Sequence, residues 1–373
     1  MSTTLTPEQS DLRDAVADLM AKRFPETEVR RLMADESGHD PALWSALAGM
    51  GLLGLVIPEE FGGSGAGATE LAVVAEQLGC ALFCGPYLST AVLTPYLLLT
   101  LGDTAESAGV LPRIAAGEAI ATVAFAESQA GSARPVQHPA TVAESATDGW
   151  LLTGEKTYVL DAQSADRFYI QAETGSSTSF FMVERDAPGL TVTPLTTVDQ
   201  TRRQGRVTLK NTPGRLIGTL GSAAEALNQA LDRAAVALVA EQAGGAMRAM
   251  RMATDYARTR YQFGRAIGSF QAVKHLCVDM LLEAESTVSA ARHVAAAFDA
   301  NSPDRDADLA LAQAYCSDAF VSVAASTIQV HGGIGFTWEH PAHLYLRRAR
   351  TDAQIFGDPA WHRERYIRLR EEI

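Results

Sequence analysis

The hydrophobic pattern of this 373-residue chain changes period twice. In the first stretch, Leu12, Val16, Leu19 and Met20 recur at helical spacing behind Thr6-Pro7-Glu8-Gln9. That string predicts a helix start: threonine as cap, proline at the first helical position and glutamine closing a capping box. Helices are also expected at Pro41–Met50, Ala68–Leu78, Pro86–Leu101 and around Val110–Ala116. Between them, the glycines and Pro58 of Gly51–Gly63 predict a compact connector with an apolar anchor.

Near Ala119 the texture becomes short, β-branched and aromatic. Strands are expected at Ile120–Phe125, Trp150–Thr153, Thr157–Leu160, Arg167–Ala172, Ser179–Val183, Leu190–Val192 and Val207–Leu209. Glycines and Pro188 punctuate this small antiparallel β domain, and Thr212-Pro213-Gly214 is expected to close it. From Ala223 onward the pattern is helical again, in Ala-rich runs at 223–258, 268–299, 305–331 and 340–350 that predict a helix bundle. The expected domains are therefore 1–117 (helical), 118–215 (β) and 216–373 (helical bundle).

Composition narrows the function. A net charge of −13 disfavours a phosphate backbone as partner, so no nucleic acid is expected. Cys80, Cys84, Cys277 and Cys316 are too sparse for a disulfide framework and lack zinc spacing, so they read as thiols of a reducing cytoplasm. No signal peptide is evident, and apolar runs such as Leu52–Ile57 and Leu93–Leu101 are too short to span a membrane.

Two segments carry candidate chemistry. Arg260-Tyr-Gln262-Phe263-Gly264, followed by Phe270-Gln271, interrupts helical texture and should form a turn. Arginine offers a planar fork for phosphate oxygens, phenylalanine an aromatic surface, and glycine a close backbone approach. Gln329-Val-His331-Gly332-Gly333-Ile-Gly335 ends an apolar helix in three glycines, which are costly unless the backbone must turn or approach something. His331 has no clear acid partner nearby in sequence and reads as structural.

Together these segments resemble the acyl-CoA dehydrogenase family. The resemblance extends to Pro58-Glu-Glu-Phe-Gly-Gly63, Glu127-Ser-Gln-Ala-Gly131-Ser132 and Gly154-Glu-Lys156-Thr-Tyr158-Val-Leu160, and covers essentially the whole chain. It implies a mainly α fold: N-terminal helical domain, middle β-barrel and C-terminal four-helix bundle. It also implies a FAD shared between subunits, an acyl-CoA substrate and an electron-transfer flavoprotein or similar acceptor. By that analogy Arg260, Gln262, Phe263, Phe270, Gln271, Gln329, Gly332 and Gly333 contact the ADP part of FAD, with Ser132 near its pyrophosphate.

The chain departs from the family where a carboxylate should remove the α-proton. The usual glutamate near the C-terminus is matched by Gly357, and the alternative position at the start of the first bundle helix by Ala234. Asp358 and Glu241 are the available substitutes. The first is more in keeping with a cap, and the second lies seven residues beyond Ala234, ~10 Å along the helix. On the flavin side, Ala126 and Leu160 stand where the family has hydroxyl donors. The resemblance is therefore to the non-catalytic subunit of heterotetrameric α2β2 enzymes of bacterial steroid-side-chain degradation. A self-sufficient homomeric enzyme using Asp358 or Glu241, and a flavin-free scaffold, are the alternatives.

Overall fold

The computed structural model describes residues 4–128, 138–147, 149–175 and 177–371. Helix α1 (Pro7–Arg23) begins as its sequence directs: the Thr6 hydroxyl accepts from the Gln9 N–H at 3.2 Å, and the Gln9 side chain accepts from the Thr6 N–H at 3.0 Å. The helices α2 (Glu26–Ala34), α3 (Pro41–Gly49) and α4 (Ala68–Cys80) follow. The expected helix at Pro86–Leu101 is two structures, a buried π-helical stretch over Tyr87–Leu93 and then α5 (Thr94–Leu101). Pro95 has no N–H to donate and its ring would clash with an α-helical turn before it; the wider π turn relieves both. Helix α6 (Thr104–Ala115) completes the N-terminal helices.

Seven strands follow: β1 (Ala121–Ala124), β2 (Val142–Ala146), β3 (Gly149–Leu160), β4 (Arg167–Glu173), β5 (Thr178–Glu184), β6 (Leu190–Pro194) and β7 (Gln204–Ile217). Pairings β4–β2–β3–β7–β5 return to β4 and so close a ring, with β1 on β4 and β6 on β7. The sheet is mixed rather than purely antiparallel, because β1 and β2 each pair with β4 in parallel. Two local expectations are corrected. Gly154 does not split β3; it sits at a register shift between Leu152 and Gly154 within one strand. Nor does Thr212-Pro213-Gly214 end the domain, since β7 runs through it. Pro213 falls between the stretch paired with β6 (205–209) and that paired with β5 (215–217), where its missing N–H interrupts neither ladder. Phe168, Ile170, Phe181, Leu152 and Val207 fill the barrel.

The helical remainder comprises α7 (Ala223–Thr259), a two-residue-per-arm hairpin β8 (Tyr261–Gln262) and β9 (Arg265–Ala266), α8 (Gln271–Asp299), α9 (Arg305–His331), α10 (Ala342–Asp352) and α11 (Pro359–Glu371). By packing, the chain divides into a first unit of residues 1–30, 68–83 and 235–373, and a second of 31–67 and 84–234. The expected N-terminal region 1–117 thus contributes to both.

In the first unit, α4 and α7 cross so closely that a Cβ on Gly79 would lie 2.0 Å from the Glu241 carbonyl oxygen, and one on Gly244 1.9 Å from that of Glu76. Helix α9 packs on α8, α10 and α11, and Gln242 of α7 donates to Ser317 of α9 at 3.0 Å. The helical stretch 305–336, α9 and the turn after it, is by length and composition apolar enough to cross a membrane, but half of its apolar window is buried inside the fold, as in a core helix.

Candidate functional site

The turn expected after α7 is a tight hairpin. Phe263 (φ 52°) and Gly264 (φ 77°) both adopt left-handed backbone, the geometry of a two-residue connection between short strands. This pushes the Phe263 ring into solvent, where it is 91% exposed. It meets the Phe270 ring edge-on at 6.1 Å, and the Arg265 guanidinium lies over the Phe270 ring at 4.0 Å. Arg260, Gln262 and Gln271 are exposed as well. Among the described residues the Arg260 guanidinium has no hydrogen-bond or ion-pair partner. Helix α8 starts at Gln271 with no side-chain cap on its first N–H groups, so its positive end is also unclaimed.

The second segment lies at the far end of α9. Gly332 (φ 63°, ψ −142°) has a conformation that only glycine adopts readily, and a Cβ on Gly332 or Gly333 would meet nothing within 4 Å. Internal crowding therefore does not explain these glycines; the backbone lies open to the outside. Gln329 is exposed one turn earlier.

Two residues not singled out by sequence join these segments. Tyr256 stacks on His331 with ring centroids 4.4 Å apart, and His340 lies 4.2 Å from His331. Tyr256 also accepts the Arg260 N–H through its carbonyl at 2.8 Å, while His331 directly precedes Gly332. The His331 Nδ1 lies 2.7 Å from the Thr327 carbonyl, which fixes it as the protonated nitrogen, and burial lowers the ring's pKa from its ordinary value. His331 is thus a neutral structural group. No separation in sequence could reveal a stack between residues 75 positions apart.

Gly357 is buried, with φ 119°, and follows Phe356 at φ 62°. The local backbone is thus one that a side-chain-bearing residue rarely adopts. The Asp358 carboxylate accepts the Trp361 N–H at 2.8 Å and caps α11. Glu241 is ion-paired with Arg348, whose other nitrogen donates to the Phe83 carbonyl at 3.0 Å. Both substitute carboxylates therefore have structural work. Ala234 is fully buried.

In the second unit, the motif residues Glu127 and Lys156 form a buried pair at 2.7 Å. Glu127 also accepts from the Ala140 N–H at 2.6 Å, the Thr141 N–H at 3.0 Å and the Thr141 hydroxyl at 2.7 Å. Burial alone would raise its carboxyl, but Lys156 and these donors hold it below the ordinary range; burial pushes the Lys156 ammonium down to about 8. Neither was expected as an ion pair from sequence, since the two lie 29 residues apart. Tyr158 sits at the register shift between Lys156 and Val159 with φ 53°, holding its ring half-exposed. Ala126 and Leu160 are buried and engaged through their carbonyls with Thr157 and Thr122. Gly131 and Ser132 lie outside the described residues.

The hairpin and the glycine turn fit the ADP part of a FAD. A free guanidinium and an uncapped helix start suit phosphate oxygens, and exposed aromatic and backbone surface suits an adenosine. Among the described residues no group of three His, Cys, Asp or Glu could hold a metal ion.

Family models for the acyl-CoA dehydrogenase N-terminal, middle and C-terminal domains match residues 6–118, 122–212 and 221–368. The chain is 34% identical over 372 residues to the acyl-CoA dehydrogenase IpdE2 of Mycobacterium tuberculosis, covering 99% of each. Among solved structures, it is similar to the ChsE4-ChsE5 complex from Mycobacterium tuberculosis (TM-score 0.89, 29% identity, 100% of each chain). It is likewise similar to the Tcur3481-Tcur3483 steroid acyl-CoA dehydrogenase (TM-score 0.87, 30% identity, 99% of each chain). With three consecutive domain matches spanning its length, this chain belongs to the acyl-CoA dehydrogenase family of FAD-dependent oxidoreductases.

Proposed function

We propose that this chain is the non-catalytic subunit of a heteromeric acyl-CoA dehydrogenase, lending the ADP-binding half of a FAD site to a partner that carries the glutamate base. The observation that carries this reading is Gly357: at the family's base position stands a buried glycine with φ 119°. Removal of a proton α to a thioester needs a carboxylate held close to that carbon. Glu241 and Asp358 are committed to Arg348 and to the α11 start. Among the described residues the Arg260 guanidinium, in contrast, has no partner, and the Gly332-Gly333 backbone is exposed.

Bound FAD would supply the hydride acceptor for the β-carbon. This chain's own contribution is to hold that cofactor. Arg260 and the α8 N-terminus would take phosphate oxygens, Phe263 and Phe270 would cover an adenosine face, and Gln329 with the Gly332-Gly333 backbone would line its edge. An electron-transfer flavoprotein or similar carrier is the expected acceptor. Two of the similar structures bear paired names, and one is named a steroid enzyme. That supports a partnered α2β2 assembly and a bulky substrate such as a steroid-side-chain CoA thioester.

Co-expression with a glutamate-bearing family member tests this reading. The expected result is a stable complex holding FAD at half the number of chains, active only when both are present. A homotetramer of this chain alone that holds one FAD per chain and oxidises acyl-CoA would overturn it.

A further inference from the structure

The first unit contains a cavity that the cofactor reading leaves unused. Its volume is about 370 Å³, within the ~300–1,000 Å³ typical of small-molecule sites. Met20, Phe24, Val29, Leu82, Met252 and Leu344 give it apolar walls. Its polar groups are few and differ in kind. Tyr345 is 5% exposed and donates its hydroxyl hydrogen to the Cys80 carbonyl at 2.7 Å. Burial raises the Tyr345 phenol, so it stays neutral, and Arg248 is a cation near it on the same cavity wall.

Glu26 also lines the cavity, but its carboxylate already accepts from Arg30 at 2.7 Å. Arg248 has no carboxylate within ion-pairing distance among the described residues. Arg248 is exposed at the cavity, so its guanidinium is open to pair with an anion from outside. Burial pushes the Cys80 thiol up to about 12, so the cavity offers no thiolate for covalent attachment.

We propose that this cavity is a second ligand site for an amphipathic monocarboxylate. The apolar body would lie against Met20, Phe24 and Leu344, and the carboxylate would pair with the fork of Arg248 beside the Tyr345 hydroxyl. The site is separate from the ADP-side residues, and its test does not depend on turnover or on a partner subunit.

The full-length protein is titrated calorimetrically with decanoate and, separately, with decanol. Decanoate should bind at least tenfold tighter than decanol. Arg248→Met should weaken decanoate about 10- to 100-fold, the loss of one charge-assisted contact, while decanol is unchanged. Arg248→Lys should keep part of the preference. Met252→Trp, which fills the cavity from a half-exposed position, should weaken both ligands, with the melting temperature checking that each variant is folded. Absence of decanoate binding at millimolar concentration would overturn the proposal. So would decanoate binding that survives Arg248→Met unchanged, because it would then occur elsewhere.

Discussion

Two glycines of the first unit, Gly332 and Gly357, show how differently the same residue can be used. Both have positive φ, at 63° and 119°. Gly332 is exposed, and a side chain there would meet no neighbour. Gly357 is buried, as are Ile355 and Phe356 before it. The charged groups follow the same division. Arg260 is exposed and has no side-chain partner among the described residues, whereas Glu241 is locked to the buried Arg348. An open turn with unsatisfied donors awaits a ligand; a closed turn with satisfied carboxylates serves the fold. The contrast teaches that the open turn leaves its groups accessible, while Glu241 and Asp358 are tied into the fold.

The sharpest way to break that contrast is Glu241→Gln. It removes one carboxylate partner of the buried Arg348, and should cost up to about 3 kcal/mol of stability. Thermal unfolding reads the loss, with little change in the turnover of the assembled complex per folded molecule. A variant of wild-type stability that is inactive would instead make Glu241 the base.

Arg260→Ala should do the reverse. FAD affinity of the complex should fall about 10- to 100-fold, equivalent to a charge-assisted bond. Stability should stay within about 0.5 kcal/mol, because the exposed side chain supports nothing internal. Unchanged flavin titration would remove the ADP-side assignment.

Gly357→Glu restores the family's residue in name only. It should destabilise by about 1–3 kcal/mol, as expected for a side chain forced into that backbone, and give no turnover to the isolated chain. Robust activity in the isolated variant would show the glycine to be a simple loss on an otherwise complete site.

The smallest effect concerns pH. Burial lowers the pKa of His331, His340 and His343 from 6.5. Below that value the unfolded chain binds protons that the folded one resists. Stability should be full above pH 6.5 and decline as pH falls below it. Melting temperatures at about pH 5.5 and about pH 7.5 measure this, and His340→Gln should flatten the difference. An unaltered slope would assign the acid sensitivity to other groups.

How legible all this was depended on range. The α1 capping box, the hairpin at Phe263-Gly264 and the α9 helix ending at His331 are local, set by side chains within a few residues of one another. Strand limits in the barrel were misread because Gly154 and Pro213 have the same local character as turn residues. Which role they take depends on what lies across the sheet. The Glu127–Lys156 pair, the Tyr256–His331 stack and the cavity beside Arg248 join residues far apart in sequence, so no spacing announces them.

The sequence by itself determined the family and the helix–sheet–helix order, because each rests on residue identity at contiguous motifs. Tertiary structure decided what the remaining groups are for. Only packing could show that Glu241 and Asp358 are already engaged, that Gly357 has a backbone closed to a glutamate, and that Arg260 and Arg248 remain unpaired by any acid among the described residues. A side chain's chemistry is fixed by its type, but its availability depends on partners and burial, and those exist only once the chain has folded.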